Sequence, residues 1–433
     1  MRHSHPIRLA FVAGALGLAA PTPARGAGFQ LNEHSARQTG MASSVVATVK
    51  DPSAIFYNPA GLTQIEGTAI TAGSSAILAH GKYTGPGLPG TNDTGGDVTN
   101  QLGGGASFVP YVYAARQLSD KAYLGLGFYL PYNSGLAWEP ENEGDPLVGR
   151  THATELALRT YFFTPTVALE LDEAISIAVG VSLVPATLLL RRELGDTVTQ
   201  EPLFSSGSSV ELSGSAFGVG ATAGIQIKLI DHLRIGLTYR SAVDLSFSGD
   251  GNFTLPEDAT ASLRERFPDQ GVTGDVTLPH TFALGIGWVQ GGLTVELGSQ
   301  LTLWESYDEL RINFETGNPA ESSVSRRDWE NVAMFRLGVE YDFGGLALRV
   351  GGGYDMSPVP DSTADFTLSD NDRIFGSLGL GYDFGPIRVD AGYMALWITE
   401  REIDTAENIN LTTGGTFEGG MAHVASLSLG TQF

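Results

Sequence analysis

From about residue 67 onward, hydrophobic and polar positions alternate with a period of two. In the run 233–240, Leu233, Ile235, Leu237 and Tyr239 share one face, and Arg234, Gly236, Thr238 and Arg240 the other. Phe335, Leu337, Val339, Tyr341 and Phe343 stand in the same way opposite Arg336, Glu340 and Asp342, and the run 346–354 repeats the pattern with Arg349 on its polar side. Such alternation predicts half-buried strands. The connections between them come in two lengths that themselves alternate. Short ones lie at 118–121, 171–174, 230–232, 290–292, 343–345 and 384–386. Long ones, rich in Gly, Asp, Asn and Pro, cover roughly 85–104, 135–154, 195–208, 249–272, 306–326, 357–370 and 404–418. The segments between them number 14.

Many of these segments exceed ten residues, longer than most strands of soluble proteins and long enough to cross a bilayer at a tilt. Short turns on one side and long loops on the other is the layout of a transmembrane β-barrel. The Tyr341-Asp342-Phe343 and Tyr382-Asp383-Phe384 segments put aromatics beside short turns, where an interfacial girdle would lie. The chain closes on Leu427-Ser428-Leu429-Gly430-Thr431-Gln432-Phe433, an alternating strand with a terminal aromatic of the kind that resembles the signal read by the barrel-assembly machinery. The expected fold is all-β: a 14-stranded antiparallel transmembrane barrel, whose closure removes the exposed strand edges that lipid would not tolerate.

Composition adds a compartment and removes some partners. Arg2, His3, His5 and Arg8 precede the apolar run 9–20, and Pro21 to Gly26 supply a break and a small-residue cleavage site, so residues 1–26 read as an export signal and Ala27 as the mature start. The chain then holds no cysteine, so neither disulfides nor thiol chemistry contribute. Its 25 Lys+Arg against 48 Asp+Glu become more acidic still once Arg2, Arg8 and Arg25 are lost, which argues against nucleic acid as a partner.

Residues 27–66 do not fit the strand pattern. Asn58-Pro59-Ala60-Gly61 is turn chemistry: Pro59 lacks an N–H and Gly61 tolerates positive φ. Ala27-Gly28-Phe29-Gln30-Leu31-Asn32, Gly40-Met41-Ala42 and Asp51-Pro52-Ser53-Ala54-Ile55-Phe56-Tyr57-Asn58-Pro59-Ala60-Gly61-Leu62 together resemble the N-terminal region of the FadL-type outer-membrane transporters of long-chain fatty acids and aromatic hydrocarbons. That resemblance implies a monomeric barrel in the outer membrane, among its lipids and lipopolysaccharide, with residues 27–66 as a hatch inside the 67–433 barrel. It implies capture of a hydrophobic small molecule outside, an internal pocket, and lateral exit at an inward kink of the third strand. Carried over by residue, Ala27, Gly28 and Phe29 form the pocket-side N-terminus, and Asn58, Pro59 and Ala60 the hatch piece beside the kink.

The third strand, 122–135, contains Pro131, which either bends the strand, with Gly125 and Gly127 giving room, or ends it. A cargo carboxylate would need a cation in an apolar pocket. Arg159, Arg191, Arg192, Arg240, Arg336 and Arg349 are candidates; Arg191 and Arg192 are preferred, and Arg336 suits a lumenal pair with Glu340. Loop residues Leu203, Phe204, Leu263 and Phe267 could form a greasy landing surface, the last two on an amphipathic helix within 253–267 with Glu257 and Asp258 near its start. No nucleophile elbow, phosphate loop or metal-ligand spacing of histidines occurs, so no enzyme and no cofactor is expected. The acidic residues Asp93, Asp97, Glu139, Glu141, Glu143 and Asp145 read as solvated loops before calcium ligands. An aqueous porin remains the alternative to a hydrophobic-compound transporter.

Overall fold

The alternation read from the sequence is the inside and outside of a closed wall. Phe335, Leu337, Tyr341 and Phe343 are exposed on its outer face, whereas Arg336 and Glu340 are buried on its inner face. The computed structural model describes residues 28–86, 97–103, 105–141, 147–195, 207–316, 322–368, 370–411 and 414–433. The expected signal segment, Ala27, Leu203, Phe204, Asp93, Glu143 and Asp145 lie outside these residues.

Fourteen antiparallel crossings form the wall. The first is Thr68–Pro86 and the second Ser107–Ser119, with Asp97–Leu102 as a short outer strand between them. The third and fourth are each broken in two, Ala122–Tyr129 with Asn133–Pro140, then Glu155–Thr160 with Phe162–Glu170. Ile175–Arg192 and Ser209–Ile230 follow as five and six. Crossings seven to ten are again composite: Leu233–Arg240 with Val243–Thr254, Gln270–Leu278 with His280–Gln290, Leu293–Leu303 with Glu309–Phe314, and Ser322–Arg326 with Val332–Asp342. Leu346–Asp355, Arg373–Asp383, Ile387–Ile398 (extended by Arg401–Ile403) and Gly415–Gln432 complete the set. The last pairs back onto the first, from Ala69↔Gln432 to Thr84↔Thr416, which closes the barrel. Among the described residues no helix is long and apolar enough to cross a membrane.

The six short connections fall where the sequence placed them, with Tyr341 and Phe343 in ring contact at 4.6 Å and Tyr382 and Phe384 at 4.7 Å beside two of them. The long connections are shorter than expected. Asn133–Pro140, Val243–Thr254, Glu309–Phe314, Ser322–Arg326 and the start of Gly415–Gln432 all intrude on segments read as loop. The strand ladder there continues beyond the lipid, where outward side chains meet water, so the hydrophobic alternation fades while the pairing persists. The helix expected within 253–267 is only Ala261–Arg266, capped by Thr260 and not led by Glu257 or Asp258.

Residues 28–66 contribute no crossing. They form two single helical turns, Ala36–Thr39 and Ala54–Tyr57, and a 3-10 stretch Pro59–Gln64, nearly all of it buried. Asn58 caps the last of these, its side-chain oxygen accepting from Ala60 N while Pro59 occupies the first position, where an N–H would have no partner. Gly40 packs against Gly379, Gly61 against Val49, and Gly338 and Gly351 against Met41, so wall glycines let this backbone approach closely.

Candidate functional site

The third crossing does not end at Pro131; it bends inward and resumes. Alternating burial stops at Tyr129, and residues 129–136 are all buried. Its ladder with the fourth crossing breaks between Tyr129↔Phe162 and Asn133↔Arg159. Toward the second crossing the last pair is Val112↔Phe128, and pairing returns only at Leu102↔Trp138 on the outer strand. Between these, Gly103 N to Ala137 O at 2.9 Å is the backbone bond found among the described residues. Among the described residues, the hydrogen-bond ladder therefore has a window between crossings two and three.

Backbone groups turned away from the wall need other partners. The N-terminal residues supply them. Leu31 N donates to Pro131 O at 2.7 Å, Asn133 N donates to Phe29 O at 3.1 Å, and Gln30 bridges Tyr132. Phe29 then points into a box of rings, 4.8 Å from Trp304, 5.9 Å from both Tyr307 and Trp329, and 6.1 Å from Tyr132. Gly28, at φ +62°, donates its N–H to Asp370 at 3.1 Å, and a Cβ there would strike the Trp329 ring.

Phe29 is one wall of an apolar cavity. Leu156, Leu158, Leu188, Leu190, Leu212, Phe247, Val272 and Val276 line it from crossings four to eight, with Leu310 and Ile312 from crossing nine. Thr367 and Leu368 close it from the 357–370 connection. Their neighbour Phe366 is fully buried among Tyr83, Trp138 and Phe417 at ring separations of 4.7, 5.5 and 5.2 Å, and Gly149 leaves the room its ring needs.

Of the expected site residues, Phe29 meets both the cavity and the kink, while Gly28 beside it is held by Asp370 and packs on Trp329 and Trp304. Asn58 and Pro59 lie elsewhere: Asn58 donates to Ile225 O at 3.0 Å and Pro59 packs at Gly224, both on the sixth crossing. Ala60 is buried beside them. Ile55 and Leu62 instead fill the space in front of Gly125, and Ile55 that in front of Gly127, just below the kink. Phe267 is covered, 5.8 Å from Phe253, and Leu263 packs on the same core; neither lines the cavity.

The preferred cations are also elsewhere. Arg191 pairs with Glu155 and, at 2.7 Å, with Glu211 on a half-exposed surface, and Arg192 reaches Ser323 at 3.2 Å. Neither lines the cavity, whose one charged lining residue among the described residues is Arg327. Arg191→Ala should change cargo affinity by less than about twofold, since exposed pairs contribute little; a titration showing a large loss would restore the original assignment. Arg327 was missed because it sits in an irregular connection, where strand parity gives no inward or outward signal.

Beneath the cavity, a buried charge network ties the N-terminal segment to the wall. Glu340 receives Arg37 at 2.8 Å and Arg349 at 2.6 Å; Arg349 also meets Asp390 at 2.8 Å, and Arg37 meets Asp51 at 3.2 Å. The expected Arg336–Glu340 pair does not form, because Glu340 is taken and Arg336 donates to Gln300 at 3.2 Å. Glu296 accepts from Ala47 N and, at 2.7 Å, from the Thr48 hydroxyl. Arg240 stacks 4.5 Å over the Phe56 ring and donates to Phe56 O.

A closed 14-crossing barrel with an apolar outer face and an apolar cavity within it has the build of an outer-membrane transporter of hydrophobic compounds. A family model described as outer membrane protein transport protein (OMPP1/FadL/TodX) matches residues 17–433, and the chain belongs to that family. It is 28% identical over 396 residues to a long-chain fatty acid transport protein of Salmonella typhi, spanning 86% of this chain and 87% of that one. It is 29% identical over 417 residues to outer membrane protein P1 of Haemophilus influenzae, spanning 86% of each. In fold it is similar to a Pseudomonas aeruginosa FadL homologue, with TM-score 0.78, 20% identity, and coverage of 94% of this chain and all of that one. It is also similar in fold to the Ralstonia pickettii toluene transporter TbuX, with TM-score 0.68, 15% identity, and the same coverage.

Proposed function

We propose that the protein takes up long aliphatic compounds of the fatty-acid type by capture at the long-loop side, residence in the Phe29 cavity, and lateral exit through the window between crossings two and three. The observation that carries this reading is the double role of residues 29–31. Phe29 forms part of the cavity wall, while the backbone of the same three residues completes the kinked segment at the window. Anything that displaces Phe29 pulls on the groups that hold the kink, so arrival of cargo and opening of the route are mechanically joined. Residues 28–66 act in this scheme as a hatch that denies water a straight path. The barrel is inserted by the assembly machinery, works as a monomer, and sets its outer strands against lipopolysaccharide.

A second cargo class, aromatic hydrocarbons, is favoured by one feature: the ring box of Trp304, Tyr307 and Trp329 around Phe29 offers edge-to-face partners to a planar guest. Uptake of labelled oleate and of toluene by a transporter-deficient strain expressing the protein separates the two. Restored oleate uptake with background toluene uptake supports the first reading, and the reverse supports the second. Uptake of neither, at normal surface abundance, sinks both.

A further inference from the structure

The outer face of crossings six to nine carries an open apolar groove. One bank is formed by Tyr239, Phe282 and Leu301, each opposite the next in register, and the other by Leu237, Leu284 and Ser299 in the same way. Ala223, opposite Tyr239, and Ser299 are small and keep the two ends low. Leu237, Phe282, Leu284 and Leu301 are exposed, on the face that meets hydrocarbon. No charged side chain lines the groove among the described residues.

His280 stands at its upper end, one outward step above Phe282. Crossing seven breaks after Arg240 and crossing eight at Pro279, which takes Ala242 N out of the ladder. It donates instead to His280 Nδ1 at 3.1 Å, and the Tyr239 hydroxyl lies 2.9 Å from the same nitrogen. A backbone N–H can only donate. Nδ1 is therefore the bare nitrogen, the Tyr239 hydroxyl donates to it as well, and the ring proton sits on Nε2. Capping Ala242 uses Nδ1 alone. The Nε2–H has no partner among the described residues, and the ring is only partly covered. Above it the outward residues turn polar, with Asp244 and Ser246 on crossing seven and Asp275 on crossing eight all exposed. His280 thus marks the level where hydrocarbon gives way to head groups, and there acyl chains carry their carbonyls.

We propose that the groove seats one acyl chain of a lipopolysaccharide molecule, whose ester or amide carbonyl accepts from His280 Nε2. The inference rests on the reading above that the outer strands stand against lipopolysaccharide, and it adds the place and the atoms; it is independent of the cargo. The groove lies on the long-loop half of the wall, in the leaflet that carries lipopolysaccharide. A plain hydrocarbon would leave the donor unused. A phosphate is the poorer match, because Asp244 and Asp275 lie on the outward face above. An uncharged carbonyl fits both the donor and the apolar banks.

The test uses purified full-length protein, stripped of lipid in detergent and incubated with lipid A or with dioleoylphosphatidylethanolamine. Retained lipid is counted by native mass spectrometry. One lipid A should stay on each barrel, at a lower concentration than the phospholipid needs. Ala223→Leu with Ser299→Leu fills the groove and should weaken retention about tenfold. His280→Leu should weaken it about fivefold, the worth of one hydrogen bond. Because His280 also holds Ala242 N, the groove-filled variant decides if the histidine variant does not fold. Oleate binding, measured on the same samples, should not change, since none of these residues lines the Phe29 cavity; its absence in the unaltered protein would bear on the cargo reading alone. No retained lipid A, equal retention by the groove-filled variant, or a preference for the phospholipid overturns the proposal.

Discussion

Deleting Pro131 should reduce uptake to the level of a strain lacking the transporter while the purified protein still binds cargo. The reason is a mismatch in the wall. From Tyr129 to Asn133 the third crossing takes four steps, whereas its partner takes three from Phe162 to Arg159. One residue is therefore surplus, and Pro131 is the member of the segment that has no N–H to give the ladder. Without it, Leu130 and Tyr132 fall into register with the fourth crossing, which draws the segment back into the wall and narrows the opening; toward the outer strand, where ten steps already face ten between Val112↔Phe128 and Leu102↔Trp138, the deletion leaves a one-residue mismatch. A continuous ladder leaves no opening to the lipid. The cavity itself is built mainly from crossings four to nine and should persist, so binding and transport should part company. Normal uptake at normal surface abundance would show that cargo leaves some other way. Gly127→Val is a poorer test, because an added side chain there would strike Ile55 and disturb the N-terminal segment as well as the wall.

A comparable effect, of opposite sign, is expected from removing residues 28–62. The inner faces they cover are polar. Glu296, Arg336, Glu340, Arg349, Ser377 and Asp390 are all buried in the intact protein and would be left facing the lumen. Water would enter a charged bore with the character of a general porin, and single-channel conductance in planar bilayers should rise from near-closed to porin-like. Circular dichroism should still report a strand-rich barrel, since the wall pairs with itself from first crossing to last. An unchanged conductance in a folded barrel would mean that residues 28–62 do not block the pore. A milder variant points the same way: Arg37→Met removes one of the two guanidiniums on Glu340, and breaking such a buried pair costs roughly 3–5 kcal/mol of docking.

How much of this could be read from the sequence depended on whether lipid wrote a pattern there. Phe335-Arg336-Leu337 alternates because one side meets hydrocarbon and the other the lumen, so the wall was legible strand by strand. Above the membrane the same strands carry Ser322-Ser323-Val324-Ser325 or Asp250-Gly251-Asn252, and the pairing continued unseen where both faces are polar. Pro131 was visible but ambiguous: a proline can end or bend a strand, and the choice was made by distant residues 29–31, which hold the displaced backbone. Resemblance placed Asn58-Pro59-Ala60 beside the kink. Gly224, which lets Pro59 approach the sixth crossing, carried no such label in one dimension. Arg327 lay in a connection without periodicity. Arg191, on a regular strand, looked inward yet found Glu155 and Glu211 outside the cavity.

The seam where the barrel closes also sets an order of events for its assembly. Ser75 on the first crossing meets Ser426 on the last at 2.6 Å and donates to Glu33 O, also at 2.6 Å. Ala36 N donates to Ser428 and Thr39 meets Ser426, contacts separated by 392 and 387 residues of chain. Contacts so remote in sequence are slow to find, because the intervening loop must be closed before they give anything back. The N-terminal segment thus waits for the last strand to be made, and both sides of the seam fasten onto it. The wall can close by its own pairing, but the docking of the N-terminal segment is complete only once the final pair has zipped.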